Sequence, residues 1–273
     1  MARVAIITGA GRQHGLGQGI ARRLAQDGFA IVLHDIGETG GDIAPEHGVA
    51  ARAEAEQVAE ALRADGAQVH VVFGDLLDPG TPATIAQEAI DAFGRIDALI
   101  NNAGIGYLFG PIEEMDERHL DAVLGVNLKA PFMMIKHVIP HIRAHGDGGR
   151  IINIASQAAK SGFAFASAYT ASKHGILGLT RSAALELAGD RITVNAICPN
   201  HVTTGLGAWQ NDFMSKARGQ SVDAYLAEMR ARIPLGRPGL VEDTANACAF
   251  LCSPEAAYIT AEALNVSGGE EYH

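Results

Sequence analysis

The sequence predicts an α/β chain: a doubly wound parallel sheet of about seven strands with helices on both faces. Three observations predict it. Short, almost wholly apolar runs recur along the chain, as expected of strands buried on both faces of a sheet. Helical patterns separate them, which calls for right-handed parallel crossovers. No Pro/Ser-rich linker breaks the rhythm, so residues 1–273 read as a single domain.

In chain order, Val4-Ala5-Ile6-Ile7 is the first strand and runs into glycine-rich sequence. A helix from about Gln18 to Asp27 follows, with Gly28 suited to its C-terminal cap. Ile31-Val32-Leu33 is the second strand, Val69–Phe73 the third, Ala98–Ile100 the fourth, Ile151–Ile154 the fifth and Thr193–Ile197 the sixth. Leu264-Asn265-Val266 is a weak seventh. Helical patterns fill the gaps at Glu54–Ala64, Thr84–Phe93, Arg118–Arg143 and Ser167–Leu187. Two segments depart from the alternation: a Gly-, Pro- and acid-containing loop, Ile36–Ala51, and an insert, Gly205–Arg232, before the last crossover.

Composition narrows the function classes. The chain is 48% hydrophobic and 19% charged with a formal net charge of −10, which suits a globular protein and disfavours a nucleic-acid partner. No stretch approaches about 18 consecutive apolar residues, so no membrane span is expected. The apolar run after Met1-Ala2-Arg3 is too short for a signal-peptide core, and the expected location is the cytoplasm. Cys198, Cys248 and Cys252 suggest no disulfide framework; Cys248 and Cys252 read as small buried apolar residues. His137 and His141 stand four apart, but Pro140 interrupts them and no acidic third ligand is near, so no metal is expected.

Chemistry concentrates at two places. Thr8-Gly9-Ala10-Gly11-Arg12-Gln13-His14-Gly15-Leu16-Gly17 lies between the first strand and the first helix. Glycines there permit a tight turn and close backbone approach, and the helix N-terminus favours a pyrophosphate. A Rossmann-like, dinucleotide-binding domain is the reading, with Gly9, Arg12, Gly15, Leu16 and Gly17 as cofactor-binding candidates. Asp35 ends the second strand, where an acid accepts from both hydroxyls of an adenosine ribose and repels a 2′-phosphate. The cofactor expected is therefore NAD, with NADP less favoured.

The second place is Tyr169 and Lys173, with Ser156 upstream. Positions four apart share one helix face. A phenol holds its proton to about pH 10, and a neighbouring ammonium favours the phenolate. Such a tyrosine can exchange a proton with an alcohol near neutral pH. The plainer reading is a surface tyrosine packed on a lysine stem.

Together these residues resemble the short-chain dehydrogenase/reductase family over nearly the whole chain. The resemblance also rests on Asp75-Leu76, Asn101-Asn102-Ala103-Gly104, Gly125-Val126-Asn127-Leu128, Pro199 to Thr204, Tyr258-Ile259-Thr260 and Gly268-Gly269. It implies that Asp75 and Leu76 approach the adenine and that Asn102, Ala103 and Gly104 line the ribose and support the sheet. It implies that Pro199, Val202 and Thr204 meet the nicotinamide carboxamide. Asn127, Ser156, Tyr169 and Lys173 become the catalytic set. Tyr169 exchanges the hydroxyl proton while hydride passes to or from the cofactor, and Ser156 hydrogen-bonds the substrate oxygen. Lys173 lowers the tyrosine pKa and holds the nicotinamide ribose, and Asn127 anchors a water. Asn101 and Asn102 also read as a simple turn, and Thr204 as a helix cap. Two features depart from the family pattern. Five residues, not three, separate Gly9 from Gly15, and Asn200 replaces the usual glycine after Pro199.

The resemblance implies an assembly, a homotetramer or homodimer, and a small-molecule alcohol or ketone as substrate. The 205–232 insert lies where this fold carries a substrate lid, and the 36–51 loop lies beside the adenosine. Ser156, Gln157, Phe163, His201, Trp209 and Phe213 are the candidate substrate contacts, with Phe165, Asn200, Met214 and Tyr225 nearby in sequence. No cation for a carboxylate or phosphate is evident there, so the expected substrate is a neutral secondary alcohol or polyol. The alternatives are an NADPH-dependent 3-oxoacyl-thioester reductase and a noncatalytic dinucleotide-binding subunit.

Overall fold

Every apolar run becomes a parallel strand. The structure, a computed structural model, describes residues 2–37, 50–106, 110–202 and 204–273, with only the backbone at 205, 206, 209 and 210. Strands β1 (Arg3–Thr8), β2 (Phe29–Asp35), β3 (Val69–Phe73), β4 (Ala98–Asn101), β5 (Gly149–Ile154), β6 (Ile192–Pro199) and β7 (Ala263–Val266) form one seven-stranded sheet. Its order is β3-β2-β1-β4-β5-β6-β7, and every neighbouring pair is parallel.

Successive side chains of a strand point to opposite faces. Ile7 and Leu33 accordingly enter one core, with Ile20 and Leu24 of α1 (Leu16–Gln26), Val58 of α2 (Arg52–Ala64) and Cys248 of α9 (Val241–Cys252). Ile6 and Val32 enter the other, with Ile85 of α3 (Thr81–Phe93), Met134 and Val138 of α5 (Ala130–His145) and Ala184 of α6 (Ser167–Leu187). Gly28, at φ +82°, ends α1 in the left-handed conformation that glycine adopts without strain. The three cysteines are buried and free.

The predicted helix Arg118–Arg143 is α4 (Glu117–Leu124) and α5, joined without a break by a π turn, Gly125–Lys129. By length and composition this continuous helix could cross a membrane, but Met134, Val138 and Ile142 lie in the second core. The insert consists of α7 (Gly205–Ala217) and α8 (Val222–Arg232). In the 36–51 loop, Gly37 bridges to Ala51, which joins the end of β2 to the start of α2. The rest of that loop lies outside the described residues, so its expected place beside the adenosine is not seen.

Candidate active site

The sheet order reverses between β1 and β4, and the crevice at that switch point, beyond the carboxyl ends of the strands, is where such sheets bind ligands. The glycine-rich turn lies there. Gly9 has φ +64°, and a Cβ on it would sit 2.7 Å from Ala103 Cα. A Cβ on Gly17 would meet Gly9 O at 2.5 Å and Asn102 Nδ2 at 2.7 Å. Asn102 explains this closeness: its Nδ2 donates to Thr8 O (2.9 Å) and Gly9 O (2.8 Å). Thr8 Oγ1 accepts from the amides of Asn102 (3.1 Å) and Ala103 (3.0 Å). Asn101 instead donates to Asn153 Oδ1 (2.8 Å), which leaves it supporting the sheet between β4 and β5.

The longer turn has a defined path. Gly15 is the N-cap of α1. The extra residues reach α2, with Gln13 N donating to Glu54 Oε1 and Gln13 Nε2 to Gln57 Oε1, both at 2.8 Å. His14 takes φ +56° and donates its amide to Gln18 Oε1 at 2.6 Å. Asp35 is buried, and each of its oxygens already accepts a backbone amide, Gly11 N at 2.7 Å and Ile36 N at 2.8 Å. Burial pushes its carboxyl pKa up, against those two amides and the nearby charge of Arg12. A carboxylate has about four lone-pair sites, so capacity for further donors is left. Asp75 Oδ1 accepts Leu77 N at 2.8 Å, and Leu76 packs in the second core.

Ser156, Tyr169, Lys173 and Asn127 come together. Ser156 directly follows Ala155 at the end of β5 and caps a 3-10 turn, Gln157–Ala159, accepting Ala158 N at 3.1 Å. Its hydroxyl shares a hydrogen bond with the Tyr169 phenol. Lys173 Nζ lies 5.6 Å from the centre of the Tyr169 ring and donates to Ile154 O at 2.9 Å. A Cβ on Gly106 would touch Tyr169 Cε2 at 3.1 Å, so the loop after β4 closes against the phenol ring.

One expectation needs correction. Tyr169 has its pKa raised above the ordinary 10, because burial outweighs the Ser156 hydrogen bond that lowers it; Lys173 does not figure among the causes. Burial also lowers the Lys173 ammonium to about 8. The two groups share a cleft as predicted, but desolvation governs both. Asn127 is held by the π turn, with Nδ2 donating to Ile105 O (2.8 Å) and Ser172 Oγ (3.1 Å) and Oδ1 accepting Ile105 N (2.9 Å). Both side-chain amide hydrogens are thus used within the protein.

At the other end of the cleft, Asn200 keeps a negative φ, so the turn after β6 does not need the glycine its position suggests. Its Nδ2 donates to Glu270 Oε2. Val202 bridges to Gly239, and Thr204 caps α7, its Oγ1 accepting Gly207 N at 3.2 Å. His201 Nε2 is 3.5 Å from Tyr225 OH, and burial lowers its pKa to about 4, so the ring is neutral at pH 7. Phe163 and Phe165 are exposed in the segment between Ser156 and Tyr169, Phe165 with φ +66°. Phe213 is 36% exposed on α7. Trp209 also lies on α7, its side chain outside the described residues. Tyr225 is buried with Met229 and Ile233 in the insert's own small core.

Sequence reasoning missed three neighbours of the site. Arg232 stands beside His201 and Tyr225 and pairs with Glu270 at 3.2 Å. Cys198 lies close enough to influence both Tyr169 and Lys173. Glu271 binds Gln157 and Ser161. No local pattern marks any of them.

The family model matching residues 9–271 is described as enoyl-(acyl carrier protein) reductase. L-2,3-butanediol dehydrogenase of Corynebacterium glutamicum is 34% identical over 276 residues, covering 100% of both chains. The crystal structure of carveol dehydrogenase from Mycobacterium avium with NAD has a TM-score of 0.90 at 26% identity, covering 98% of this chain and 97% of that one. A variant of actinorhodin polyketide ketoreductase with NADPH has a TM-score of 0.89 at 32% identity, covering 100% and 98%. A match over almost the whole length, on a sheet whose order and site agree with it, makes this chain a member of the short-chain dehydrogenase/reductase family and an NAD(P)-dependent oxidoreductase.

Proposed function

We propose that this protein interconverts a neutral secondary alcohol or polyol and its ketone, with NAD preferred over NADP. The observation that carries the reading is the hydrogen bond between Ser156 and Tyr169 at the carboxyl edge of the sheet, with Lys173 one helical turn on. A dinucleotide fits the cradle formed by Gly9 and Gly17, where any Cβ would collide with backbone. Gly9, Arg12, Gly15, Leu16 and Gly17 would hold the pyrophosphate, and Asp35 the adenosine ribose. Asp75, Leu76, Asn102, Ala103 and Gly104 would line the adenosine side, with Pro199, Val202 and Thr204 at the carboxamide. When bound, the nicotinamide supplies hydride transfer.

The chain's own residues handle the proton. Ser156 orients the substrate oxygen toward the phenol, and Tyr169 gives a proton to the developing alkoxide in reduction or takes one in oxidation. The raised Tyr169 pKa keeps the phenol protonated at pH 7, which suits reduction and makes oxidation rise with pH. Asn127 positions Ile105 and Ser172 around the pair. The neutral substrate follows from the cations at hand: Arg232 is engaged by Glu270, and Lys160 donates to Ala263 O at 2.7 Å. A screen of polyols, sugars, cyclic alcohols and hydroxyacids with NAD+, read as NADH absorbance, tests this. Strong preference for an anionic substrate overturns it.

One observation favours a second reading. Arg12 lies near Asp35 and offers a charge for a 2′-phosphate, as an NADPH-dependent 3-oxoacyl-thioester reductase would use. Equal kcat/KM with NAD and NADP would move the assignment there. We further propose self-association through the α4–α6 face. Leu124, Leu128 and Leu179 line an apolar groove there, and Phe132 and Leu185 are 55% and 79% exposed. Light scattering that gives a monomer mass at micromolar concentration would exclude it.

A further inference from the structure

Glu271 is buried and lies in the segment after β7. Its Oε2 accepts from Ser161 Oγ at 2.6 Å and from Gln157 Nε2 at 3.3 Å, and its Oε1 lies 3.0 Å from His273 Nε2. Ser267 fixes the backbone that carries it: Ser267 Oγ donates to Glu271 O at 2.9 Å and accepts Glu271 N at 3.2 Å. Burial of a carboxylate is costly unless donors meet it. Here the Ser161 hydroxyl does most to hold its pKa below the usual carboxylate range.

The two partners bracket the catalytic turn. Gln157 follows Ser156 directly, and the amides of Lys160 and Ser161 both donate to Gln157 O. The consequence for Gln157 is one of orientation. Its amide has a donating and an accepting end that a rotation about the last torsion exchanges. An ionised carboxylate only accepts, so it selects the Nε2 end. Gln157 Oε1 is then the acceptor that the side chain has left, on the residue that directly follows Ser156.

We propose that Glu271 is a positioning residue that sets substrate specificity: by holding Gln157 Nε2 it presents Gln157 Oε1 as an acceptor for a second hydroxyl next to the reacting carbon. The class selected is vicinal diols and α-hydroxyketones over simple alcohols and ketones. This rests on the reading of Ser156 and Tyr169 given above, and it deepens the substrate class of that site.

The test uses the full chain and two matched pairs: 2,3-butanediol with 2-butanol, and trans-1,2-cyclohexanediol with cyclohexanol. The wild type should favour each diol in kcat/KM by about tenfold or more, the worth of one well-placed hydrogen bond. Glu271→Ala should lower kcat/KM for the diol about tenfold more than for the matching alcohol, mainly through KM. The KM for the dinucleotide should not move. Gln157→Leu should reduce the diol preference similarly, and the double variant should lose no more than either single one. If Glu271→Ala does not fold, Glu271→Gln keeps one acceptor and should lose part of the preference. Equal loss on diol and alcohol in parallel with a lower Tm would make Glu271 merely structural and overturn the proposal. So would a wild type without diol preference, a preference unchanged by the variants, or additive losses in the double variant. If none of the four alcohols is oxidised with either dinucleotide, both this proposal and the neutral-alcohol reading fall.

Discussion

The two ends of the cleft are held by different means. At the dinucleotide end the contacts run from side chains to backbone over closely packed glycines: Asn102 to Thr8 and Gly9, and Asp35 to Gly11 and Ile36. At the end proposed for the substrate they run between side chains of distant segments: Glu271 to Gln157 and Ser161, Glu270 to Arg232, His201 beside Tyr225. Backbone contacts constrain shape, and few residues satisfy them. Side-chain contacts can be exchanged in sets without moving the sheet. The first end thus suits one cofactor class, while the second can be retuned for different substrates on the same frame.

Tyr169 stands where the two ends meet, so its loss should have the largest effect. Tyr169→Phe should lower kcat by about 10³-fold while dinucleotide affinity measured by fluorescence titration stays unchanged, because the phenol acts on a proton only. Near-wild-type kcat in this variant would remove Tyr169 from the reaction.

Lys173 should show its effect in stability as well as rate. Its folded pKa of about 8 lies below the unfolded 10.5, so between those values the unfolded chain binds more protons and stability rises with pH. At about 1.4 kcal/mol per pKa unit, the burial penalty is about 3 kcal/mol at pH 7 and fades by pH 10.5. Denaturant melts of wild type and Lys173→Met across that range should diverge by this amount. Parallel curves would mean that Lys173 is not the titrating group.

Gly17→Val breaks the dinucleotide end alone. Its Cβ would meet Gly9 O at 2.5 Å, an overpacking worth about 1–3 kcal/mol. Dinucleotide affinity should fall by about 10- to 100-fold, and a variant that binds normally would show that the turn relaxes freely. Asp35→Ala should have the smallest effect, narrowing the preference for NAD over NADP by about tenfold as a like-charge repulsion is removed. Comparison of kcat/KM for both cofactors reads it directly.

Much of this was legible locally. The strands were legible as apolar runs, and in β1 alternate side chains such as Ile6 and Ile7 enter opposite cores. Tyr169 and Lys173 reach one cleft because helix geometry puts them on one face. The π turn at Gly125–Lys129 was not legible, since one residue of altered winding leaves no mark in an apolar period. Nor was the raised Tyr169 pKa, because desolvation depends on what surrounds a group and not on its neighbours in sequence. Nor was the packing of Tyr225 with Met229 and Ile233 inside the insert, because closeness in sequence to the candidate substrate residues does not say which way a side chain is buried.

By itself the sequence determined the individual strands, the glycine-lined turn after β1 and the placing of Tyr169 and Lys173 on one helix face, because each depends on residues within a turn or two of one another. Only the tertiary structure decided how the substrate end is held. Glu271 meets Gln157 across 114 positions and Arg232 meets Glu270 across 38, and contacts of that span exist only once β5, β6 and β7 lie side by side. Their cost is chain closure, which the buried sheet supplies, and no local pattern of residue types encodes which pairs that closure brings together.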